Sequence, residues 1–577
     1  MKKFVLFLFA ILFVSVSVYS QFLPNYLTEY EKKIYPYYIP PVGNEKDVNP
    51  PYNPVRTIAE WEENQAVMVT WTSYTSIIAQ IVDYIQDECI CLIICTDSNS
   101  VKSQLTSFGV PLTNLAFLIK PFNSVWNRDY GQWNGYTNEI DSLKMIDWIY
   151  NRPRPSDDQI PVYVAQFFNV PLHQAITSPN DLTHTGGNFM VDGHGTGFAS
   201  KLILQENSGK TEAQIDTIAK KYLGLNRFIK METLPYDGIH HIDMHMKLLD
   251  EETLLVGQYP TGVSDGPQIE ANLQYVLNNF QTCFGKPYKV VRIPQPPSSS
   301  GQYPPNSSYF TYTNSLIVNK TVLVPIYGFA LDTTALRIYR QAMPGYRVVG
   351  INCSSMISAS GAIHCITKEI GIVNPVFISH SGLRNTNVTS SPYEVKARIK
   401  TKTGIANAKV YWRTDTLNPY SLLNMTQLTA DTFRAYIPAQ SLNTKVYYYI
   451  SATSNNSKTI TKPLTAPSGY FTFTISNTTS AENNGIIPQD YRLYQNYPNP
   501  FNPATVIKYQ IPKDGLVSLK VYDVLGREVA VLVNEFKKSG LYEAALSLNS
   551  ENLSSGMYFY RLNSGGFSDT KKFVICK

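Results

Sequence analysis

The sequence predicts a chain of several domains, with an α/β domain first and all-β domains behind it. With 577 residues the chain is too long for a single hydrophobic core. From about residue 46 to 375, short apolar runs alternate with longer helical patterns, as expected of an α/β fold. From residue 376 onward, short strand patterns separated by turn residues replace the helices, as expected of β-sandwiches.

The N-terminus predicts export. Lys2 and Lys3 precede an apolar run from Phe4 to Val18, and a small-residue cleavage site ends at Ser20, so residues 1–20 are expected to be a signal peptide. A membrane anchor is the alternative, but the apolar run is short for one. Residues 21–45 are rich in tyrosine, proline and charge, and we expect a pro-segment or N-terminal arm.

The α/β domain is predicted over residues 46–375. Its predicted strands are Ala66–Trp71, Cys89–Cys95, Ala116–Ile119, Ser315–Val318 and Val322–Pro325. Its predicted helices are Thr75–Gln86, Thr211–Leu223 and Gln268–Phe280. No second cysteine or histidine cluster with ligand spacing accompanies the cysteines of Cys89–Cys95, so a metal site is not expected in that strand.

Two all-β regions are predicted behind it. Residues 376–475 predict an immunoglobulin-like β-sandwich with strands at Tyr393–Lys400, Lys409–Arg413, Thr432–Pro438, Lys445–Ala452 and Tyr470–Ile475. Residues 476–487 predict a polar linker. Residues 488–577 predict a further β-sandwich with strands at Thr505–Ile511, Val517–Asp523, Leu541–Leu548, Met557–Leu562 and Lys571–Ile575.

Composition limits the classes of function. The net charge of +5 is weak for so long a chain, so nucleic acid is not an expected partner. The 40 tyrosines, with many asparagine, threonine and serine residues, suit β-rich exported material. Seven cysteines are an odd number, so at least one stays outside any disulfide pairing. We expect a monomer.

The last segment contains three specific motifs. They are Leu493-Tyr-Gln-Asn-Tyr-Pro-Asn-Pro-Phe-Asn-Pro503, Val521-Tyr-Asp-Val-Leu-Gly-Arg-Glu-Val529 and Ser555-Gly-Met-Tyr-Phe-Tyr-Arg561, followed by Lys571 and Lys572. Together they resemble the C-terminal sorting domain of type IX secretion cargo. The resemblance implies passage across the outer membrane, removal of the domain on export and the secretion machinery as a partner. A generic β-sandwich binding module is the alternative.

Four segments of the α/β domain collect polar residues that a core would not tolerate unpaired: Ser124–Gly131, His240–Leu248, Tyr312–Ile317 and Ser360–Thr367. In His240–Leu248, apolar residues alternate with His241, Asp243, His245 and Lys247, which predicts a strand with one polar face. A zinc site and structural histidines are the alternatives. A strand, however, spreads ligands that a helix would present together.

These segments also resemble a known family. The matching motifs, in the family's order, are Trp126-x-Arg-Asp129, His184-Thr-Gly-Gly-Asn188, His241-Ile-Asp243, Asn314 and Ala362-Ile-His-Cys365. They resemble the guanidine-modifying superfamily of arginine and agmatine deiminases, above all its bacterial peptidylarginine deiminase branch. The resemblance implies a five-bladed α/β propeller (pentein) over residues 46–375.

The resemblance also implies roles for single residues. Cys365 is then the nucleophile and His241 the general acid/base. Asp129 and Asp243 hold the guanidinium, and Asn314 is the asparagine of the site. No metal or organic cofactor is implied. The family usually has a denser glycine run before the cysteine than Ser358–Gly361, and a bulkier residue is expected at the position of Gly238.

The segment Tyr150-Asn-Arg-Pro-Arg-Pro155 predicts substrate specificity. Arg152 and Arg154 flank a proline, which favours an extended backbone with both guanidinia on one side. An arginine binds a carboxylate through two parallel hydrogen bonds. In the branch that the chain resembles, arginines of such a segment hold the substrate's terminal carboxylate. A solvated basic loop is the alternative. Trp126 is also expected to contact the substrate.

The sequence therefore predicts a secreted hydrolase that converts arginine, at peptide C-termini, into citrulline and ammonia. A deiminase of agmatine or free arginine is the alternative within this family. A catalytically silent surface binding protein is the alternative from another class, and the joint presence of the cysteine, the histidine and the two aspartates argues against it. A cysteine protease is disfavoured because no papain-type cysteine context is present.

Overall fold

The structure is a computed structural model that describes residues 23–40, 48–476, 491–496, 499–502, 504–537, 539–547 and 553–576. The predicted signal peptide and most of the predicted linker at 476–487 lie outside the described residues. Within the described part of the chain, no helix is both long and apolar enough to cross a membrane.

The first region contains five sheets between residues 55 and 371. In strand order, one sheet consists of Val55–Thr57, Trp133–Thr137, Ser142–Tyr150 and Leu172–Ala175, and Thr183–His184 also pairs with Ser142–Tyr150. A second consists of Lys368–Gly371, Asn64–Thr70, Ile90–Cys95 and Leu115–Ile119. The other three have three strands each: Arg227–Met231, Thr196–Ser200 and Met190–Val191; Met246–Leu248, Thr253–Gln258 and Lys289–Pro294; and Leu316–Val318, Thr321–Ile326 and Arg347–Asn352.

The same local unit recurs in all five sheets. Two antiparallel strands are followed by a helical segment and then by a strand parallel to the second one. In one sheet, for example, Leu316–Val318 and Thr321–Ile326 are antiparallel, and Arg347–Asn352 returns parallel after a helix. Lys368–Gly371, near the end of the region, pairs with Asn64–Thr70 near its beginning, so the series of sheets closes on itself.

Helices connect the parallel strands of each unit, and the short helix Asn127–Tyr130 lies between two sheets. The α-helices between residues 75 and 342 are Thr75–Ile85, Ser98–Ser107, Asn127–Tyr130, Pro155–Asp158, Ile160–Phe168, Leu202–Glu206, Glu212–Leu223, Gly266–Asn279 and Ala330–Ala342. Short 3₁₀ turns lie at Gly186–Asn188, Ile242–Met244, Ile357–Ala359 and His364–Ile366. Before the first sheet, an α-helix spans Glu29–Ile34 and a 3₁₀ turn spans Tyr35–Tyr37.

Two further groups of sheets follow. Residues 377–474 form one sheet of Phe377–Ser379, Tyr393–Lys400, Thr432–Ile437 and Thr426–Gln427, and another of Ser421–Asn424, Ile405–Arg413, Lys445–Ser454, Thr459–Lys462 and Phe471–Thr474. Residues 492–575 form one sheet of Arg492–Leu493, Ala504–Ile511 and Gly540–Ser547, and another of Glu528–Lys537, Gly515–Tyr522, Gly556–Ser564 and Phe567–Ile575. Each group has its own buried apolar cluster.

The strands and helices expected from apolar periodicity are confirmed with shifts of a few residues at their ends. One prediction is wrong. His240–His245 does not continue a strand: Ile242–Met244 is a 3₁₀ turn, and only Met246–Leu248 is extended. The whole segment is buried apart from the half-buried His240, so its polar and apolar side chains do not divide between an outer and an inner face.

Candidate active site

The predicted site residues lie in the connections that lead from one sheet to the next. Asp129 is in Asn127–Tyr130, between Leu115–Ile119 and Trp133–Thr137. His241 and Asp243 precede Met246–Leu248. Because the closing series of sheets brings its connections together, residues far apart in sequence meet at one place.

Two more connections complete the site. Asn314 precedes Leu316–Val318, and Cys365 lies in the turn His364–Ile366 before Lys368–Gly371. The cysteine, the histidine, the asparagine and both aspartates are at most 2% exposed. Such a concentration of buried polar side chains is costly unless each finds a partner, so their partners define what the site can bind.

Cys365 has two polar neighbours. Nδ2 of Asn314 donates to its Sγ over 3.2 Å, and the Cys365 amide donates to Oδ1 of the same asparagine over 3.3 Å. Oδ2 of Asp243 lies 3.7 Å from Sγ. The thiol is therefore placed beside one carboxylate and one amide donor, which is an arrangement for reaction with a cationic electrophile.

Asp129 and His241 form a second pair. Oδ1 of Asp129 accepts the amide of Gly187 over 3.0 Å and lies 3.6 Å from Nδ1 of His241. A methyl group at Gly187 would stand 2.4 Å from that ring nitrogen and 2.9 Å from that carboxylate oxygen. Glycine is thus required there, which explains one glycine of the predicted motif His184–Asn188.

A third group of residues was missed by the sequence analysis. Nδ1 of His364 lies 2.7 Å from Oδ2 of Asp243, and its Nε2 lies 3.2 Å from Oε2 of Glu60. Nζ of Lys247 lies 2.7 Å from the same glutamate oxygen. The two ring nitrogens of His364 thus bridge Asp243 and Glu60, and this contact fixes the orientation of Asp243.

The signals for this group differed in strength. His364 stands in the motif Ala362-Ile-His-Cys365, directly before the cysteine, but the motif alone assigns it no role. Glu60 is 304 residues away in sequence and has no motif of its own. Only the fold brings it to the site.

Burial dominates the electrostatics of the site. It raises the pKa of the Cys365 thiol well above its usual value, and the carboxylates of Asp243 and Asp129 raise it further. It also raises the pKa of Asp129, although Thr185 and the charge of Arg152 oppose that rise. Burial lowers the pKa of His241 to about 3. In this state the thiol is protonated and His241 is neutral at pH 7.

Charge holds Glu60 in the opposite state. Burial alone would raise its pKa, but the neighbouring charges of Lys247 and His364 keep the pKa of Glu60 well below its usual value. Glu60 is therefore an anion at neutral pH.

Arg152 and Arg154 are buried, at 7% and 1% exposure, which excludes the alternative of a solvated basic loop. The charge of Arg152 lowers the pKa of both Asp129 and His241. Arg154 binds the Glu31 carboxylate, with Nε 2.7 Å from Oε1 and a terminal nitrogen 3.2 Å from Oε2. Arg154 thus already holds a carboxylate in the manner predicted for a substrate.

The loop before Cys365 shows how the unusual Ser358–Gly361 is accommodated. Ser360 has φ +65°, in the left-handed region that glycine favours. A methyl group at Gly361 would stand 2.4 Å from the ring of Trp126. Trp126 is fully buried there, against the loop of the cysteine. Gly238 is exposed, and a methyl group added there would meet no atom within 4 Å, so it does not shape the site.

A zinc site would require histidine ligands that lie close to one another. Among the described residues, no group of three or more histidine, cysteine, aspartate or glutamate side chains is arranged to hold a metal ion. His245 is buried, and its pKa is lowered to about 4 by that burial. It is a neutral histidine of the core.

Repeated α/β units and a buried cluster of a cysteine, a histidine and two aspartates are the features expected of a deiminase. The family described as Porphyromonas-type peptidyl-arginine deiminase matches residues 56–370. The chain belongs to this family, whose members are deiminases of guanidino groups. A second family, described as the secretion system C-terminal sorting domain, matches residues 495–576. That domain shows that the chain is secreted or displayed at the cell surface and implies contact with the secretion machinery.

Relatives and solved structures agree with this assignment. A provisionally named agmatine deiminase of Legionella pneumophila (strain Paris) is 26% identical over 278 residues, 44% of this chain and 75% of that protein. One from Vibrio parahaemolyticus is 24% identical, over 49% of this chain and 83% of that protein. The X-ray structure of another provisionally named agmatine deiminase has a TM-score of 0.51 at 19% identity, over 58% of this chain and 100% of that one, which shows a shared fold.

Proposed function

We propose that the chain is a cysteine hydrolase that converts the C-terminal arginine of peptides into citrulline and ammonia. The observation that supports this most is the position of Cys365 between Asn314, 3.2 Å away, and Asp243, 3.7 Å away. Oδ1 of Asp243 and both ring nitrogens of His241 have no hydrogen-bond partner in the described part of the chain. Buried groups of this kind await a ligand with several donors.

A guanidinium meets these requirements. It is planar and cationic and presents five N–H donors to the two carboxylates, which hold it by charge-assisted hydrogen bonds. Asp243 lies beside the sulfur and Asp129 beside His241. The central carbon of a guanidinium held by both would be fixed near Sγ.

The first half of the reaction releases ammonia. The Cys365 thiolate attacks the guanidinium carbon, and a C–S bond forms as the C=N pair moves onto nitrogen. His241 as imidazolium gives a proton to one terminal nitrogen, and the C–N bond breaks. Ammonia leaves, and a thiouronium remains on the sulfur.

The second half restores the enzyme. Neutral His241 takes a proton from water, whose oxygen attacks the thiouronium carbon. The C–S bond then breaks, the electron pair returns to sulfur, the proton left on the attacking oxygen passes to solvent, and the product is the urea group of citrulline. His241 thus donates one proton to the leaving nitrogen and accepts one from water, which requires its charge to alternate.

Substrate binding itself would activate the thiol. In the unliganded site, burial and two carboxylates hold the pKa of Cys365 high. A bound guanidinium compensates those carboxylates and favours the thiolate. Transfer of the thiol proton to His241 would give the imidazolium form that the first half of the reaction uses. The chemistry is thereby coupled to the presence of the correct cation.

The choice of a terminal arginine rests on Arg152 and Arg154. Arg152 acts electrostatically on Asp129, so it lies where the main chain of a bound arginine would follow its side chain. Arg154 has the geometry to bind a carboxylate through two hydrogen bonds, as its contact with Glu31 illustrates. Trp126 completes the wall beside Gly361.

A second candidate is a deiminase of agmatine or free arginine, because relatives of this chain are named for agmatine. Agmatine has no carboxylate. It would therefore offer no carboxylate to the buried Arg152, and Arg154 would keep Glu31 as its partner. This difference separates the two candidates experimentally.

We also propose an architecture for the whole chain. Five similar sheets that close through Lys368–Gly371 and Asn64–Thr70 support a five-bladed α/β propeller over residues 46–375. The separate apolar clusters support an immunoglobulin-like sandwich at 376–475 and a sandwich-like sorting domain at 488–577. Residues 1–20 are proposed as the signal peptide.

The function is tested by measuring ammonia release from a peptide ending in arginine, the same peptide with an amidated end, and agmatine. The proposal expects the first to be the best substrate and the product to contain citrulline. Equal rates on the first two would contradict the terminal specificity. A preference for agmatine would support the second candidate.

A further inference from the structure

Residues 23–40, here called the arm, begin inside the candidate site. The indole N–H of Trp126 donates to the carbonyl of Leu23 over 2.9 Å. The amide of Asn25 donates to the carbonyl of Ala359 over 2.9 Å, and its side-chain nitrogen donates to that of Ser360 over 3.3 Å. The arm is thus hydrogen-bonded to the loop that leads to Cys365.

The two arginines also bind the arm. Nε of Arg152 donates to the carbonyl of Asn25 over 2.9 Å, and Arg154 donates to the carbonyl of Pro24 over 2.7 Å. Arg154 then holds the carboxylate of Glu31 at 2.7 Å. Asn25 is 1% exposed, so this is an enclosed contact and not a surface one.

Local structure holds Glu31 in position for this contact. The helix Glu29–Ile34 begins with a capping box, in which Thr28 and Glu31 bond to each other's backbone. Oε2 of Glu31 accepts the amide of Thr28 over 2.8 Å. The cap orients the carboxylate toward Arg154, which in turn lowers the pKa of Glu31 against the opposing effect of burial.

We propose that the arm is an intramolecular ligand of the substrate cleft and keeps the chain latent until it is released. The inference rests on the proposed function, since it takes Trp126, Arg152 and Arg154 as the walls of that cleft. The arm meets them with main-chain carbonyls and one carboxylate, the groups that any peptide ending in a free carboxylate offers. The same contacts therefore assign peptides as the ligand class of the cleft.

The arm itself cannot be turned over. From Leu23 to Ile34 it contains no arginine, and the residue nearest the site, Asn25, ends in a neutral amide. Its advantage over a free substrate is covalent attachment. A short tether can give an effective concentration of about a millimolar, so even a weak arm competes with dilute substrate.

Cutting the tether is the direct experiment. A recognition sequence for a site-specific protease is inserted between Pro41 and Asp47 of the full chain, and the same sequence is inserted at 477–490 as the control. We expect cutting after residue 41, followed by desalting, to raise kcat/KM about ten- to a hundredfold, as loss of the tether would. Cutting the control should leave it unchanged. Loss of the arm is verified by mass.

A synthetic peptide of residues 23–40 provides a second measurement. It should restore inhibition of the cut protein, competitively with substrate. Labelled, it should bind the cut Cys365→Ala variant in a fluorescence anisotropy titration. A peptide with Glu31→Ala should bind at least about tenfold more weakly, because it lacks the partner of Arg154. A peptide with Glu29→Ala should bind nearly as well, since the Glu29 side chain is 84% exposed and pairs only with Lys32.

The outcomes separate this inference from the proposed function. Peptide binding by a cut protein that releases no ammonia from any guanidino substrate would overturn the function and leave the arm as a cleft ligand. An active protein whose rate does not respond to cutting, and to which the peptide of residues 23–40 does not bind, would overturn the inference. Glu31→Ala in the uncut chain should itself raise activity, while Glu29→Ala should not.

Discussion

The interior of the candidate site and its rim differ in how far their polar groups are satisfied. In the interior, Oδ1 of Asp243 and both ring nitrogens of His241 lack hydrogen-bond partners within the described residues. At the rim, Arg152 and Arg154 bind carbonyls and a carboxylate of the arm. The polar atoms of the interior are therefore free to bind a cation with many donors, while those of the rim are already bonded to the arm.

The largest effect is expected from the interior nucleophile. Cys365→Ala should reduce ammonia release to the background rate, because no other group near the guanidinium carbon can form the thiouronium. Peptide binding should remain measurable. Cys353→Ala is the matched control, since Cys353 is also fully buried but has no described contact with the site. Loss of activity in the control would move the nucleophile to Cys353.

The second largest effect on activity is expected from the two carboxylates. Asp129→Asn and Asp243→Asn each remove one charge-assisted contact with the guanidinium and leave the rest of the site poorly paired. We expect each to cost about 2–5 kcal/mol in kcat/KM, or roughly thirtyfold to several thousandfold. Steady-state kinetics on the peptide ending in arginine measures this. A variant with near-normal efficiency would make that aspartate structural.

At the rim, effects should be smaller and should depend on the arm. In protein freed of its arm, Arg152→Ala or Arg154→Ala should cost about 1.5–3 kcal/mol on a peptide ending in arginine, roughly ten- to a hundredfold. Activity on the amidated peptide should change little. The double variant should fall short of additivity, because both arginines serve one end of the substrate. Equal losses on both peptides would place the arginines outside carboxylate binding.

The smallest effect is expected from the group that positions Asp243. His364→Gln removes the imidazole between Asp243 and Glu60, at a cost of about 0.5–1.5 kcal/mol. It should lower kcat and change the pH profile of kcat, while binding of the peptide of residues 23–40 stays the same. His245→Gln, the neighbouring buried histidine, is the control. A general loss of folding stability in both variants, with no change in the pH profile, would reduce His364 to a core residue.

The interior and the rim also differ in how well the sequence predicts them. Cys365, His241, Asp129, Asp243 and Asn314 stand in recognisable motifs, and the structure brings them together as expected. The strand predicted for His240–His245 was wrong because alternation of polarity is also compatible with a buried 3₁₀ turn, in which every side chain is enclosed. Local patterns show residue types and not the environment that encloses them.

Contacts across long sequence distances could not be predicted. Glu60 reaches His364 because Asn64–Thr70 pairs with Lys368–Gly371, and the sequence does not show which strands are neighbours. The sequence indicated a pro-segment or N-terminal arm, but not that it would bind Arg152 and Arg154. A carboxylate partner for Arg154 was predicted from its chemistry, but not that Glu31 of the same chain would provide it.

The central claim is tested most directly by following one peptide ending in arginine with protein freed of its arm. Ammonia and the mass of the peptide are measured together over time, beside the amidated peptide and Cys365→Ala. The account predicts one ammonia for each terminal arginine that becomes citrulline, little reaction of the amidated peptide, and none with the variant. Ammonia released without citrulline, or citrulline formed by Cys365→Ala, would contradict it.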